Sequence, residues 1–235
     1  MDLSIIIPAY NEARRLPGTL ATIAAYLKRN NREAEIIVVN DGSTDETVSL
    51  VQQTNIPVRL IDHPRNLGKG AAVRTGMLAA QGEWRYLCDA DLSTPIEDIE
   101  KLEQWRATAD VIIASRRLPG SVIERAQTGW KVALGQIGNY AIRLFVVPGV
   151  HDTQCGFKLF HRRTTVIFEQ QRLQRWGFDF ELLYLARRFG FRLKEVPVRW
   201  RNDPDSKVRP IDYLRTAAEI LSIHLNRWRG YYHIP

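Results

Sequence analysis

Short apolar runs alternate with helix-compatible stretches through the N-terminal part of the chain, and this alternation limits the fold more than any other feature. "LSIIIP" precedes a helical stretch from about Glu12 to Arg29, then come "AEIIVVN", a helix opened by "DGSTDET", "PVRLID", a helix from about Gly68 to Ala80, and "WRYLC". Strands alternating with helices imply an α/β fold on a mostly parallel sheet with right-handed crossovers. In such sheets ligands bind beyond the carboxyl ends of the strands. Three polar clusters fall at those ends: "PAYNE", "NDGSTD" and "DADLSTP". They are expected to converge on one crevice.

A chain of 235 residues suits one sizeable domain, 1–235, with a real core. Its hydrophobic content of 45% and charged content of 25% exclude a disordered chain. Cys88 and Cys155 have no paired spacing, and "MDLSIIIPAY" lacks the basic start and cleavage site of a signal peptide. A reducing, cytoplasmic setting is expected.

Charge divides the chain. Residues 1–100 hold 14 acidic and 10 basic side chains, a balance of −4, whereas 101–235 hold 12 and 23, a balance of +11. The second half is expected to meet an anionic partner. Nucleic acid is excluded as that partner, because no RNA- or DNA-binding signature occurs and the carboxylates of the first half would repel phosphate without a metal.

"DAD" places Asp89 and Asp91 one residue apart, where they repel unless a cation lies between them. Mg²⁺ or Mn²⁺ fits, since these hard ions take carboxylate and phosphate oxygens and one or two aspartates suffice beside a diphosphate. No His/Cys cluster offers a zinc site. Asp41 with Gly42 also fits a simple turn, and Ser43 or Thr44 a helix N-cap. Gly68, Gly70 and Gly76 make neither a Walker A loop nor a dinucleotide fingerprint, which excludes an ATPase or NAD enzyme.

Taken together and in order, "SIIIPAYNE", "IIVVNDGSTDET", "RNLGKGAAVRTGM", "DADLSTP", "ASRR" and "DTQCGFKLF" resemble the family 2 glycosyltransferases. Within them the match is closest to the dolichyl-phosphate glucosyl- and mannosyltransferases. The resemblance implies a GT-A fold, a nucleotide-sugar donor bound by residues 1–100, and inverting transfer to a polyprenyl phosphate gathered by 101–235. Glucose from UDP-glucose is favoured, with GDP-mannose, or a sugar hydroxyl as acceptor, as alternatives. A sugar nucleotidyltransferase would carry a glycine-rich basic loop after the first strand, where this chain has "PAYNEARRLPG".

Roles follow from the same resemblance. Pro8, Ala9, Tyr10 and Glu12 would form the first nucleotide-binding loop, and Asp41 would bond the base. Lys69 would lie near the nucleotide. Asp89 and Asp91, with Ala90 between them, would hold metal and diphosphate. Arg116 or Arg117 would contact phosphate, Asp152 and Gln154 would face the sugar or acceptor, and Ser206, Lys207 and Arg209 would close over the diphosphate. Asp89, Asp91, Arg117 and Asp152 are the catalytic candidates. Asp152 stands where a general base could be placed, but a phosphate acceptor needs none.

No run approaches the roughly 20 apolar residues of a spanning helix. Trp130, Ala133, Leu134, Ile137, Ala141, Leu144 and Phe145 recur at helical spacing across 130–146, with Arg125, Lys131 and Arg143 alongside. Ile211, Leu214, Ala218, Leu221, Leu225 and Trp228 do the same across 211–228. These stripes fit either core packing or interfacial helices. Membrane contact is expected to be peripheral, on the cytoplasmic face.

Overall fold

The structure, a computed structural model, describes residues 1–125, 138–201 and 210–234. Seven strands form one sheet in the order β3-β2-β1-β4-β7-β5-β8: β1 (Leu3–Ala9), β2 (Ala34–Asn40), β3 (Val58–Asp62), β4 (Trp84–Leu87), β5 (Val111–Ser115), β7 (Lys158–His161) and β8 (Leu193–Pro197). The expected strands through β4 are all present. β1 runs parallel to β2 and β4, β2 to β3, and β5 to β8. β7 alone is antiparallel, inserted between β4 and β5. β6 (Val122–Arg125) and β9 (Arg199–Arg201) pair separately as a two-stranded parallel sheet.

Both faces of the sheet are covered, which is why its central strands are apolar runs instead of alternating ones. Ile5 and Ile7 of β1 face one cluster, which contains Leu16, Leu20, Ile23 and Tyr26 of α1 (Leu16–Arg29). Ile6, turned the other way by the two-residue period, joins Val73 and Met77 of α3 (Lys69–Ala79) and Phe180 and Leu183 of α7 (Phe178–Arg188). Each such side chain, fully buried, contributes about 1.5–3 kcal/mol. Gly76 permits close approach of α3 to β1, because a Cβ there would lie 2.5 Å from Ile6 Cγ2.

The first helix begins at Leu16, later than Glu12, because Glu12 opens a turn that precedes the helix. Its carbonyl accepts from the backbone N–H groups of Arg15 and Leu16, and its carboxylate is held by the Arg15 guanidinium at 2.6 and 2.7 Å. The remaining helices are α2 (Thr47–Gln52), α4 (Ile99–Glu103), α5 (138–145), α6 (Thr165–Gln170) and α8 (Pro210–Trp228).

The large side chains of the two apolar stripes turn outward wherever they are described. On α5, Ile142 packs inside while Leu144 and Phe145 are exposed, Phe145 to 60%. On α8, Ile223 packs inside while Leu221, Leu225 and Trp228 are exposed, Trp228 to 83%. Trp130, Ala133, Leu134 and Ile137, and the side chains of Ile211 and Leu214, lie outside the described residues. No described helix is long and apolar enough to cross a membrane.

Candidate active site

β2 and β3 extend from one side of β1 and β4 from the other, so the strand order reverses between β1 and β4. A crevice opens at such a reversal. The loops after β1, β2 and β4 surround it and are bonded to one another. Asn11 N–H donates to Ser43 Oγ (2.9 Å), Glu12 N–H to Thr47 Oγ1 (2.8 Å), and Thr44 N–H to Asn11 Oδ1 (2.8 Å). Thr19 Oγ1, from α1, donates to the Ala90 carbonyl at 2.6 Å. Ser43 and Thr44 thus join loops, and the N–H of Thr47 at the start of α2 is instead taken by Asp45 Oδ1 at 3.0 Å.

Asp41 is buried, and its carboxylate accepts from the N–H groups of Leu67 (2.9 Å) and Gly68 (2.8 Å) and meets His63 Nδ1 at 2.9 Å. It therefore fixes the loop that leads into α3. Gly42 is required beside it: φ is +68°, and a Cβ would lie 2.3 Å from the Arg65 carbonyl carbon. Lys69, the first residue of α3, leaves this loop with its Nζ 2.7 Å from Asp89 Oδ1.

Asp89 and Asp91 follow β4 on a tight turn. Leu92 N–H donates to the Asp89 carbonyl (3.2 Å) and Ser93 N–H to Asp91 Oδ1 (2.9 Å), while Leu92 takes a φ of 46°. A leucine in the left-handed region stores about 1–3 kcal/mol, a strain that concentrates at functional turns. Burial would raise the pKa of Asp89, but Lys69 beside it, with Lys158 and Arg116, carries it below the ordinary carboxylate range. Asp91 goes the other way, raised by burial and then by the charge of Asp89.

Asp89 Oδ1 is a buried oxygen without an aligned hydrogen-bond donor, so the Lys69 contact is an ion pair. Its other oxygen rests on Gly156, where a Cβ would stand 2.0 Å from Oδ2. Shape and charge hold this carboxylate, which leaves its lone pairs for a cation. Among the described residues no group of three or more His, Cys, Asp or Glu could hold a metal. The pair therefore fits a divalent ion completed by oxygens of a bound ligand. The adjoining cleft is lined by Leu92, Ser93, Thr94, Gly156 and Trp200, among others.

Arg116 and Arg117 follow β5 and part company. Arg116 clamps Asp152 through Nε (2.6 Å), Nη2 (2.8 Å) and its backbone N–H (3.0 Å), with its guanidinium 5.2 Å from the Trp200 ring. The resemblance has Asp152 facing the sugar or acceptor; in the structure its carboxylate is buried and both oxygens meet Arg116. Burial would raise its pKa, but Arg116 outweighs this and brings it down to about 2. Arg117 is exposed, and no described carboxylate is placed as its ion-pair partner. Partial burial and the charges of Arg116 and Arg143 lower its pKa against the pull of Asp152.

Of the remaining candidates, Pro8, Ala9 and Ala90 are buried, Tyr10 is partly exposed, and Gln154 is half-buried in the loop before β7. Ser206, Lys207 and Arg209 lie outside the described residues. Two residues were missed. Lys158, on β7, forms a fully buried ion pair with Asp179, in the first turn of α7. The signal was present as a lysine inside the apolar run "CGFKLF" and an aspartate inside "GFDFELL".

Paired carboxylates beside the strand-order reversal of a mostly parallel sheet stand where such folds bind a ligand, here the arrangement of a metal-assisted, GT-A-type transferase. The sequence profile of glycosyl transferase family 2 matches residues 4–166, and the chain belongs to that family. It is 37% identical to a dolichyl-phosphate beta-glucosyltransferase of Trichomonas vaginalis, over 94% of this chain and 72% of the relative. The enzymes of that name from Drosophila melanogaster and Homo sapiens are 37% and 33% identical, over 95% and 97% of this chain and 74% and 76% of theirs. Among solved structures, glucosyl-3-phosphoglycerate synthase of Mycobacterium tuberculosis in complex with UDP superimposes with a TM-score of 0.69 at 20% identity, covering 94% of this chain and 79% of that one. A complex of the same enzyme with Mn²⁺, UDP-glucose and phosphoglyceric acid gives 0.69 at 18% identity, over 94% and 79%. The family resemblance and GT-A fold read from the motifs are borne out.

Proposed function

We propose that the chain transfers glucose from UDP-glucose to a polyprenyl phosphate of the dolichyl type, with inversion at the anomeric carbon. The shared name of its relatives supports the substrates. The observation from geometry that carries the acceptor class is the state of Asp152. An acidic group with a pKa of about 2, clamped by Arg116, is a poor proton acceptor near neutral pH. A sugar hydroxyl would need a base, whereas a phosphate monoester, with a second pKa of about 6, already presents an anionic oxygen.

Catalysis then consists of positioning and charge control. Pro8, Ala9, Tyr10, Glu12 and Asp41 shape the nucleotide side, and Asp89 and Asp91 would hold Mg²⁺ or Mn²⁺ with the donor diphosphate. Bound there, the metal would neutralise charge that gathers on the leaving diphosphate. Arg117 is the exposed guanidinium available to an anionic oxygen, in keeping with an acceptor half that carries the positive excess.

The acceptor is a lipid, and the outward face of Leu221, Leu225 and Trp228, with Leu144 and Phe145, supports peripheral contact with a membrane. We assign this contact to the cytoplasmic side. Cys88 and Cys155 as free thiols agree with a reducing compartment. The test is incubation with Mg²⁺, a short polyprenyl phosphate and a panel of UDP- and GDP-sugars, followed by mass analysis of the lipid. A hexosyl-phosphate lipid from UDP-glucose is expected. Product from GDP-mannose alone, or only on a hydroxyl acceptor, would refute the reading.

A further inference from the structure

We infer that Lys69 is a resident counter-ion of the metal site, and that it makes divalent-metal binding and nucleotide-diphosphate binding depend on each other. The inference rests on the nucleotide-sugar reading above and concerns how the same site is controlled.

Lys69 is held from several directions. Its backbone follows Gly68, whose N–H donates to Asp41 Oδ2 at 2.8 Å. The next residue, Gly70, is pressed so closely on the segment before α7 that a Cβ would lie 2.6 Å from the Leu173 carbonyl oxygen. Its ammonium meets Asp89 Oδ1 at 2.7 Å and stands 5.4 and 6.0 Å from the ring centres of Trp176 and Phe178. A lysine at the first position of a helix opposes the helix dipole, which favours anions there. Its placement is therefore a local disadvantage that Asp89 and Asp179 outweigh. Burial would lower the lysine pKa, but those two carboxylates raise it, so the group is a permanent cation.

Three carboxylates, Asp89, Asp91 and Asp179, and two ammonium groups, Lys69 and Lys158, make up this cluster, with one negative charge in excess, because the nearby Arg116 is cancelled by its partner Asp152. A divalent ion alone would turn that excess positive. A nucleotide-sugar diphosphate alone, with two negative charges, would deepen it, and UDP, with about three near neutral pH, would deepen it further. Metal and diphosphate together restore the original balance, so the pair is admitted more readily than either member. With Lys69 removed, the empty site carries two excess negative charges, which a divalent ion alone neutralises. The ammonium, so close to a metal-holding carboxylate, is thus both a competitor of the free ion and a partner for the incoming diphosphate.

The test is Mn²⁺ binding to the full chain, read by the electron paramagnetic resonance signal of free Mn²⁺, with and without UDP or GDP. For the natural protein, UDP is expected to tighten Mn²⁺ on the order of tenfold or more, and Mn²⁺ to tighten UDP by the same factor, since linkage is reciprocal. Lys69→Met is expected to bind Mn²⁺ alone on the order of tenfold more tightly than the natural protein, and to gain little from UDP. Lys69→Gln, a second neutral variant, should behave like Lys69→Met. Lys69→Arg should keep the coupling.

Neutral variants that bind Mn²⁺ alone no more tightly than the natural protein, or that keep the full effect of UDP, would overturn the inference while leaving the proposed transfer intact. Coupling that follows this pattern in a protein that glucosylates no polyprenyl phosphate would support the inference and defeat the acceptor assignment. Absence of Mn²⁺ binding under all conditions would overturn both the metal site and the role of Lys69.

Discussion

Replacing Gly156 by alanine puts a methyl carbon where the Asp89 carboxylate already sits. The added Cβ would lie 2.0 Å from Oδ2 and 2.5 Å from Cγ, whereas ordinary contact begins near 3.4 Å. Relief therefore requires Asp89 to move by about 1.4 Å, the difference between those two distances. Gly156 does not have a positive φ, so alanine is allowed by the backbone and the fold is expected to survive. A displacement of about 1 Å at a reacting centre costs on the order of 100-fold in rate. Gly156→Ala should thus lose on the order of 100-fold in kcat for glucosyl transfer and weaken Mn²⁺ in the presence of UDP, with a thermal melt close to that of the natural protein. The assay is steady-state transfer to a short polyprenyl phosphate, with thermal unfolding run in parallel. A folded Gly156→Ala protein that keeps more than half its turnover would refute the view that the Asp89 carboxylate must stay where the structure has it.

Asp91→Asn should lower Mg²⁺-dependent transfer by a large factor while leaving the melt nearly unchanged, because Asp91 lies outside the sheet. Full Mg²⁺-dependent activity would remove Asp91 from the metal site. Trp228→Ser should reduce partition onto anionic vesicles on the order of tenfold in a sedimentation assay, in line with roughly 1.5–3 kcal/mol for a large apolar side chain. The binding that remains should weaken with salt, which screens charge over about 8–10 Å at physiological ionic strength, and equal partition onto neutral and anionic vesicles would contradict an electrostatic share. Asp152, with a folded pKa of about 2 against 3.8, contributes stability above its unfolded pKa and loses it as pH falls from about 4 toward 2. The size is about 2 kcal/mol. Asp152→Asn should flatten that acid limb in pH-dependent unfolding and leave the Arg116 charge unpaired, at a cost of about 3–5 kcal/mol.

Much of the fold was legible because it depends on local pattern. The order of strands and helices to β4 follows from periodicity, and the crevice follows from polar clusters at strand ends. What escaped was set by partners distant in sequence. "CGFKLF" reads as a strand, but only the chain path decides that β7 enters antiparallel between β4 and β5. Asp152 reads as a ligand-facing carboxylate until its partner Arg116, 36 residues earlier, takes both oxygens. The stripes on α5 and α8 were ambiguous for a related reason. Periodicity finds an apolar face but does not say whether the core already has enough side chains, and here Ile142 and Ile223 supply it from the other side.

The Lys158–Asp179 pair shows why the least legible residues still matter to the site. Taking two charges out of water costs several kcal/mol per ion, and a buried ion pair is often no more stable than an apolar pair of similar size. Stability alone therefore gives little reason for a fully buried lysine at the start of β7. Its position gives a better one. Lys158 lowers the pKa of Asp89, and its partner Asp179 helps hold Lys69 as a cation against the cost of burial. In a low-dielectric interior such charges act over several ångströms with little screening. The pair beneath the sheet's carboxyl end thus sets the field in which Asp89 and Lys69 work, and, on the metal site proposed above, the ion pair between those two is what an incoming divalent metal would have to open.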